Sequence, residues 1–97
     1  MFIINFNFIQ PIEEVNNYTE SHRKYLAEQY KNGTFLIGGP KDPRNGGIVI
    51  ANTSSEQEIR EILEKDPLIT HKMAEYTLTK FTPLMSASTV GFLLNEV

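Results

Sequence analysis

His22 is the first residue of this 97-residue chain to invite a chemical reading. It falls seven residues after Val15 and four before Leu26, so an ionisable ring sits in the inward stripe of an amphipathic helix rather than on its wet face. Burial disfavours an imidazolium and a neighbouring carboxylate favours it, which suits such a pair to taking up and returning a proton. From position alone His22 reads equally as a core histidine satisfied by one hydrogen bond. Asp66 is the matching carboxylate. It stands before Pro67, where an aspartate commonly just caps or turns the chain, and where it could instead orient an imidazole. In that pairing Asp66 holds the ring and His22 moves the proton.

A third group of residues could hold a ligand. The segment from Gly38 to Gly47, with Gly39, Pro40, Lys41 and Arg44 at its centre, joins accessible amides to two cations, a combination suited to a carboxylate or phosphate. An exposed hairpin tip is the plainer alternative. Neither glycine-rich nucleotide signature is present, and no serine has a nucleophile-elbow context. His22 and His71 share no ligand spacing, so we expect no metal, and His71 reads as exposed in a polar connection.

Positioning these residues requires a particular set of elements. Phe2, Ile4, Phe6 and Phe8 alternate with Ile3, Asn5, Asn7 and Ile9, the period of a strand. Pro11 ends it, and Val15, Tyr18, Tyr25, Leu26 and Tyr30 then recur at helical spacing from Ile12 to Asn32, with Gly33 as the stop. Thr34 to Gly38 and Gly47 to Ala51 read as a strand pair around the turn-rich loop. Ser55 and Glu58 have capping-box spacing ahead of Ile59, Ile62 and Leu63, a second helix that Asp66-Pro67 stops. Ala74 to Phe81 supplies a fourth strand, on which Glu75 either lines a cavity between sheets or simply faces outward.

The order β-α-β-β-α-β is the ferredoxin-like pattern of an α+β domain, with a four-stranded antiparallel sheet and both helices on one face. Side-by-side helices let His22 and Asp66 meet across the 44 positions between them. The other face keeps apolar residues, Ile3 or Phe2 and its neighbours, and a sheet with two partly apolar faces needs a second cover, so a homodimer is expected. We assign 1–83 to one domain and 84–97 to a tail whose Val90, Phe92, Leu93 and Leu94 pack on the domain or across the dimer.

Composition narrows the partners. A net charge of −3 gives no general attraction to phosphate backbones, so nucleic acid is not an expected partner. The absence of cysteine removes disulfides, thiolate metal sites and cysteine nucleophiles. No stretch approaches the roughly 20 apolar residues of a membrane span, and Met1 to Ile9 lacks a basic leader, so a cytoplasmic protein off the membrane is expected.

Four segments together resemble the YCII-like family over roughly Phe2 to Pro83. They are Ser-His-Arg-Lys-Tyr-Leu around His22, Gly38-Gly39-Pro40 with Pro43-Arg44-Asn45-Gly46-Gly47, Asp66-Pro67-Leu68, and Ala74-Glu75-Tyr76 leading to Lys80-Phe81-Thr82-Pro83. Leu68 stands where family members more often carry an aromatic, and the tail after Pro83 has no clear counterpart. The resemblance implies a dimeric α+β barrel of two facing sheets and an active site made by a histidine and an aspartate, here His22 and Asp66. It also implies cofactor-independent chemistry of an isomerase or lyase kind on a small anionic or phenolic compound. A non-catalytic metabolite-binding or interaction domain is the alternative, and turnover would separate the two.

Overall fold

Seven alternating residues begin the chain and make the strand at the heart of the sheet. In the computed structural model, which describes residues 1–94, β1 spans Phe2–Phe8 and lies between β3 (Gly46–Ala51) and β4 (Ala74–Lys80), with β2 (Phe35–Pro40) outside β3. The order is β2-β3-β1-β4 and all pairings are antiparallel, the ferredoxin-like arrangement expected. Registers pair Phe2 with Ala51, Ile4 with Val49 and Phe6 with Gly47, so these residues share one face. Phe2, Ile4, Phe35, Ile59 and Leu63 are fully or almost fully buried there, joined by Leu26.

The helices on that face are more divided than periodicity suggests. A single helix over Ile12–Asn32 is replaced by α1 (Ile12–Val15) and α2 (Thr19–Lys31), joined through Asn16, Asn17 and Tyr18. Two adjacent asparagines are poor helix formers, and the turn closes with the Tyr18 N–H donating to Val15 O at 2.9 Å. Gly33 at φ 85° then ends α2, as anticipated. The second helix is α3 (Glu56–Leu63), which ends before Asp66, and a further short helix, α4 (Pro67–Thr70), follows it. Ser55 caps α3 by accepting from the Glu58 N–H at 3.1 Å, while the Glu58 carboxylate accepts from Thr53. Asp66 does more than stop a helix: it begins the next one. Val15, Leu68, Met73 and Ala74 form a second buried cluster where α1, α4 and the start of β4 meet.

The opposite sheet face carries Ile3, Ile48 and Ile50 in register, with Ile37 of β2 beside Ile50 and largely exposed. After β4 the chain passes Met1, whose carbonyl accepts from the Phe81 N–H, and ends in a 3-10 helix, Ser88–Leu93, that buries no residue. Leu84, Met85 and Phe92 are strongly exposed. The last three residues of the expected tail, 95–97, lie outside the described residues. Among the described residues no helix is long and apolar enough to cross a membrane.

Phe2 anchors the sheet to the helices from a fully buried position. Phe2→Ala is expected to cost about 3–5 kcal/mol of stability, read as a lowered urea midpoint with an unchanged slope.

Candidate active site

An aspartate with no exposed surface must find partners for its charge, and Asp66 finds two. Its Oδ1 accepts from the Leu68 N–H at 3.0 Å, capping α4, and both carboxylate oxygens lie 2.8 Å from Nδ1 of His22. An ionised carboxylate only accepts, so Nδ1 carries the hydrogen of this bond, and whenever the ring is neutral Nε2 keeps its lone pair. α2 delivers His22 from the stripe that also buries Leu26, and the His22 ring meets the edge of Phe6 at 5.6 Å and 84°. The imidazole is therefore held on two sides.

Its remaining side opens into a cavity of about 470 Å³ between α2 and the β2–β3 hairpin. Phe6, Phe8 and Val49 form the sheet wall, and Leu26, Ala27 and Tyr30 form the helix wall. Gly38, Gly39 and Pro40 of β2 form the rim with Arg44. Gly46, also in the lining, has no room for a side chain, because one would run into the Phe6 carbonyl. The volume is that of a small-molecule site, and the walls are mainly apolar with few polar groups.

Arg44 is fixed rather than free. Its guanidinium donates to Asn16 Oδ1 at 2.8 Å and to Thr19 Oγ1 at 3.2 Å, and it lies 5.9 Å from the Phe8 ring centre. The asparagine turn that interrupts the first helix thus supplies an anchor for a cation at the cavity rim.

The candidate residues read from the sequence divide between the two faces of the sheet. His22, Gly39, Pro40 and Arg44 line the helix-side cavity, and Asp66 stands behind His22. Lys41 turns the other way and donates to Asn7 Oδ1 at 2.7 Å, and Glu75 is paired with Asn7 in the β1–β4 register, so both belong to the outer face. His71 is exposed and stacks on Tyr18 with centroids 4.3 Å apart. The side chains of Tyr30 and Arg23 also line the cavity; for Tyr30 the signal lay in its spacing, eight residues after His22 on the same stripe. Among the described residues no cluster of acids and histidines could hold a metal.

The YCII-related domain family matches residues 1–82. The chain belongs to that family. Its YCII-related fold is shared with the solved structure of a 5-chloro-2-hydroxyhydroquinone dehydrochlorinase from Burkholderia phenoliruptrix AC1100, in complex with 2,5-dihydroxybenzoquinone. The TM-score is 0.68 at 17% identity, over 84% of this chain and 93% of that one. No curated protein matches.

Asp66 serves both helix α4 and the imidazole, and two substitutions separate those roles. Asp66→Ala leaves buried donors unmatched and is expected to cost about 1–3 kcal/mol. Asp66→Asn keeps an oxygen for the Leu68 N–H and should lose distinctly less, by comparison of urea midpoints.

Proposed function

We propose that this YCII-related protein is a small cofactor-independent enzyme of the cytoplasm that uses His22 to move a proton on a small phenolic or anionic ring compound. The observation that carries this reading is the placement of His22: Nδ1 is tied to a fully buried carboxylate while the ring lines an apolar cavity of ligand size. In the proposed step Nε2 takes a proton from the substrate, and the electron pair left behind moves into a new double bond. Either a leaving group departs with its bonding pair, which is elimination, or His22 returns the proton at another atom, which is isomerisation. Asp66 stabilises the imidazolium that forms between the two halves of the step. The similar fold of an enzyme named for a chlorinated hydroxyhydroquinone supports ring compounds as the first to test. Arg44, Gly39 and Pro40 are proposed to receive the anionic edge of the ligand. Lys41 and Glu75, on the outer face, are proposed to act through assembly rather than direct contact.

The assembly proposed is a homodimer with the outer sheet faces together. Ile3, Ile37, Ile48 and Ile50 offer apolar surface for it, and the exposed tail residues Leu84, Met85 and Phe92 offer more. Asn5 adds a polar reason. It lies on the same face, and its Oδ1 is buried with no hydrogen-bond partner among the described residues. An unmatched buried acceptor costs about 1–3 kcal/mol, which a donor from a second copy would relieve.

Two measurements test these proposals. With a hydroxyhydroquinone as substrate, His22→Ala is expected to lower kcat by about 10²–10⁴-fold with little change in KM; undiminished turnover would remove His22 from the chemistry, and binding without turnover in the parent would favour a binding domain. Light scattering should give about twice the 11.1 kDa chain mass, and Ile37→Asp should return the mass to that of one chain. A folded parent that scatters as a single chain would refute the dimer.

A further inference from the structure

The proposed chemistry uses the end of the cavity at His22. Tyr30 lies on the same face of α2, and eight residues of helix set the two about 12 Å apart along the axis. Both line the cavity, with the apolar side chain of Leu26 between them. The Tyr30 hydroxyl is packed over Gly38, where any side chain would collide with it and would also come within 2.8 Å of the Ile48 carbonyl oxygen. Glycine at this strand position makes room for the phenol.

Two of the other three tyrosine hydroxyls of the fold are engaged by the protein. Tyr25 donates to the Ile62 carbonyl at 2.6 Å and Tyr76 to the Glu64 carboxylate at 2.7 Å, while the Tyr30 hydroxyl has no hydrogen-bond partner among the described residues. Its ring packs in a T-shaped contact with the buried Phe35, with centroids 5.7 Å apart at 75°. Burial pushes its ionisation above the ordinary phenol value, so at neutral pH the group is a donor. A partly exposed donor without a protein partner toward one end of an apolar cavity, and His22 at the other, define what fits between them.

We propose that Tyr30 is a second ligand-contacting residue of this cavity, donating to an oxygen on the far end of the bound ring, so that the site selects flat rings with oxygens at opposite positions. This rests on the reading of His22 as the proton-transfer residue and adds the substrate class to it. A ring with one oxygen can satisfy His22 or Tyr30 but leaves the other unmatched. A ring with oxygens at opposite positions satisfies both.

The test uses 1,4-dihydroxybenzene and phenol as probes, titrated into the parent, Tyr30→Phe and His22→Ala with binding followed by NMR shifts. The parent should bind the diol about tenfold more tightly than phenol, the worth of one good hydrogen bond. Tyr30→Phe should erase that preference by weakening the diol while leaving phenol unchanged. In the parent, the Tyr30 ring resonances should move with the diol and not with phenol, a readout that needs no variant. Equal affinity of the parent for both probes, or a preference that survives Tyr30→Phe, would overturn the role of Tyr30 while leaving His22 untouched. A retained preference together with full turnover in His22→Ala would overturn the proton-transfer reading and keep Tyr30 as a binding contact. Failure of both probes to bind the parent would overturn both.

Discussion

The hydrogen bond between His22 and Asp66 is the constraint to which the rest of this structure is fitted. A carboxylate without exposed surface survives in a small domain only where donors of the protein replace the water it has left. Here the donors come from opposite directions: the imidazole descends from α2, and the Leu68 N–H begins α4. Pro67 at the first position of α4 costs no hydrogen bond and presets the helical turn, so the aspartate is aimed by the backbone that follows it. Moving either helix would strand a buried charge. That locks the relative position of two elements from opposite halves of the chain.

With the imidazole fixed, the cavity beside it follows from what the sheet leaves out. Gly38, Gly39, Gly46 and Gly47 keep the β2–β3 hairpin thin where it passes α2, and the space a row of larger residues would fill becomes the cavity. The loop between these strands then serves as a rim. Asn45 O accepts from the Phe8 N–H at 2.9 Å, tying the loop to β1, and Arg44 is clamped by Asn16 and Thr19 at the foot of α2. A break in the first helix and a glycine-rich hairpin, each costly to local regularity, together shape one cavity and its rim.

Much of this was legible in the sequence because it depends on periods that short elements keep. Alternation in β1 and β4 gave the strands, and with two amphipathic segments it gave the topology; His22 stood out because it interrupts an apolar stripe. Asp66 was legible as a partner through that topology together with the family resemblance, since locally it reads as a cap, and the structure makes it both. The break at Asn16 and Asn17 was hidden because Val15 and Tyr18 keep helical spacing across it. The side of the sheet on which Lys41 and Glu75 lie was hidden too. Glu75 follows the register of Asn7, and the long stem of Lys41 carries its ammonium to that same asparagine, whereas Arg44, three residues on, reaches the helix side. Tyr30 falls in the sequence only as one more apolar position of the helix stripe, where an aromatic usually packs. Its hydroxyl matters only once Gly38 is seen to lie beneath it.

The most direct measurement is of the hydrogen on His22 itself. Nitrogen-15 NMR of the imidazole, recorded where the ring is neutral, distinguishes a protonated ring nitrogen from one bearing a lone pair. If Asp66 orients His22 for proton transfer, Nδ1 will carry the hydrogen and Nε2 will show the lone-pair shift. An imidazole found with its hydrogen on Nε2, or exchanging evenly between the two forms, would mean that the carboxylate does not set the state of the ring, and the site as described here would not hold.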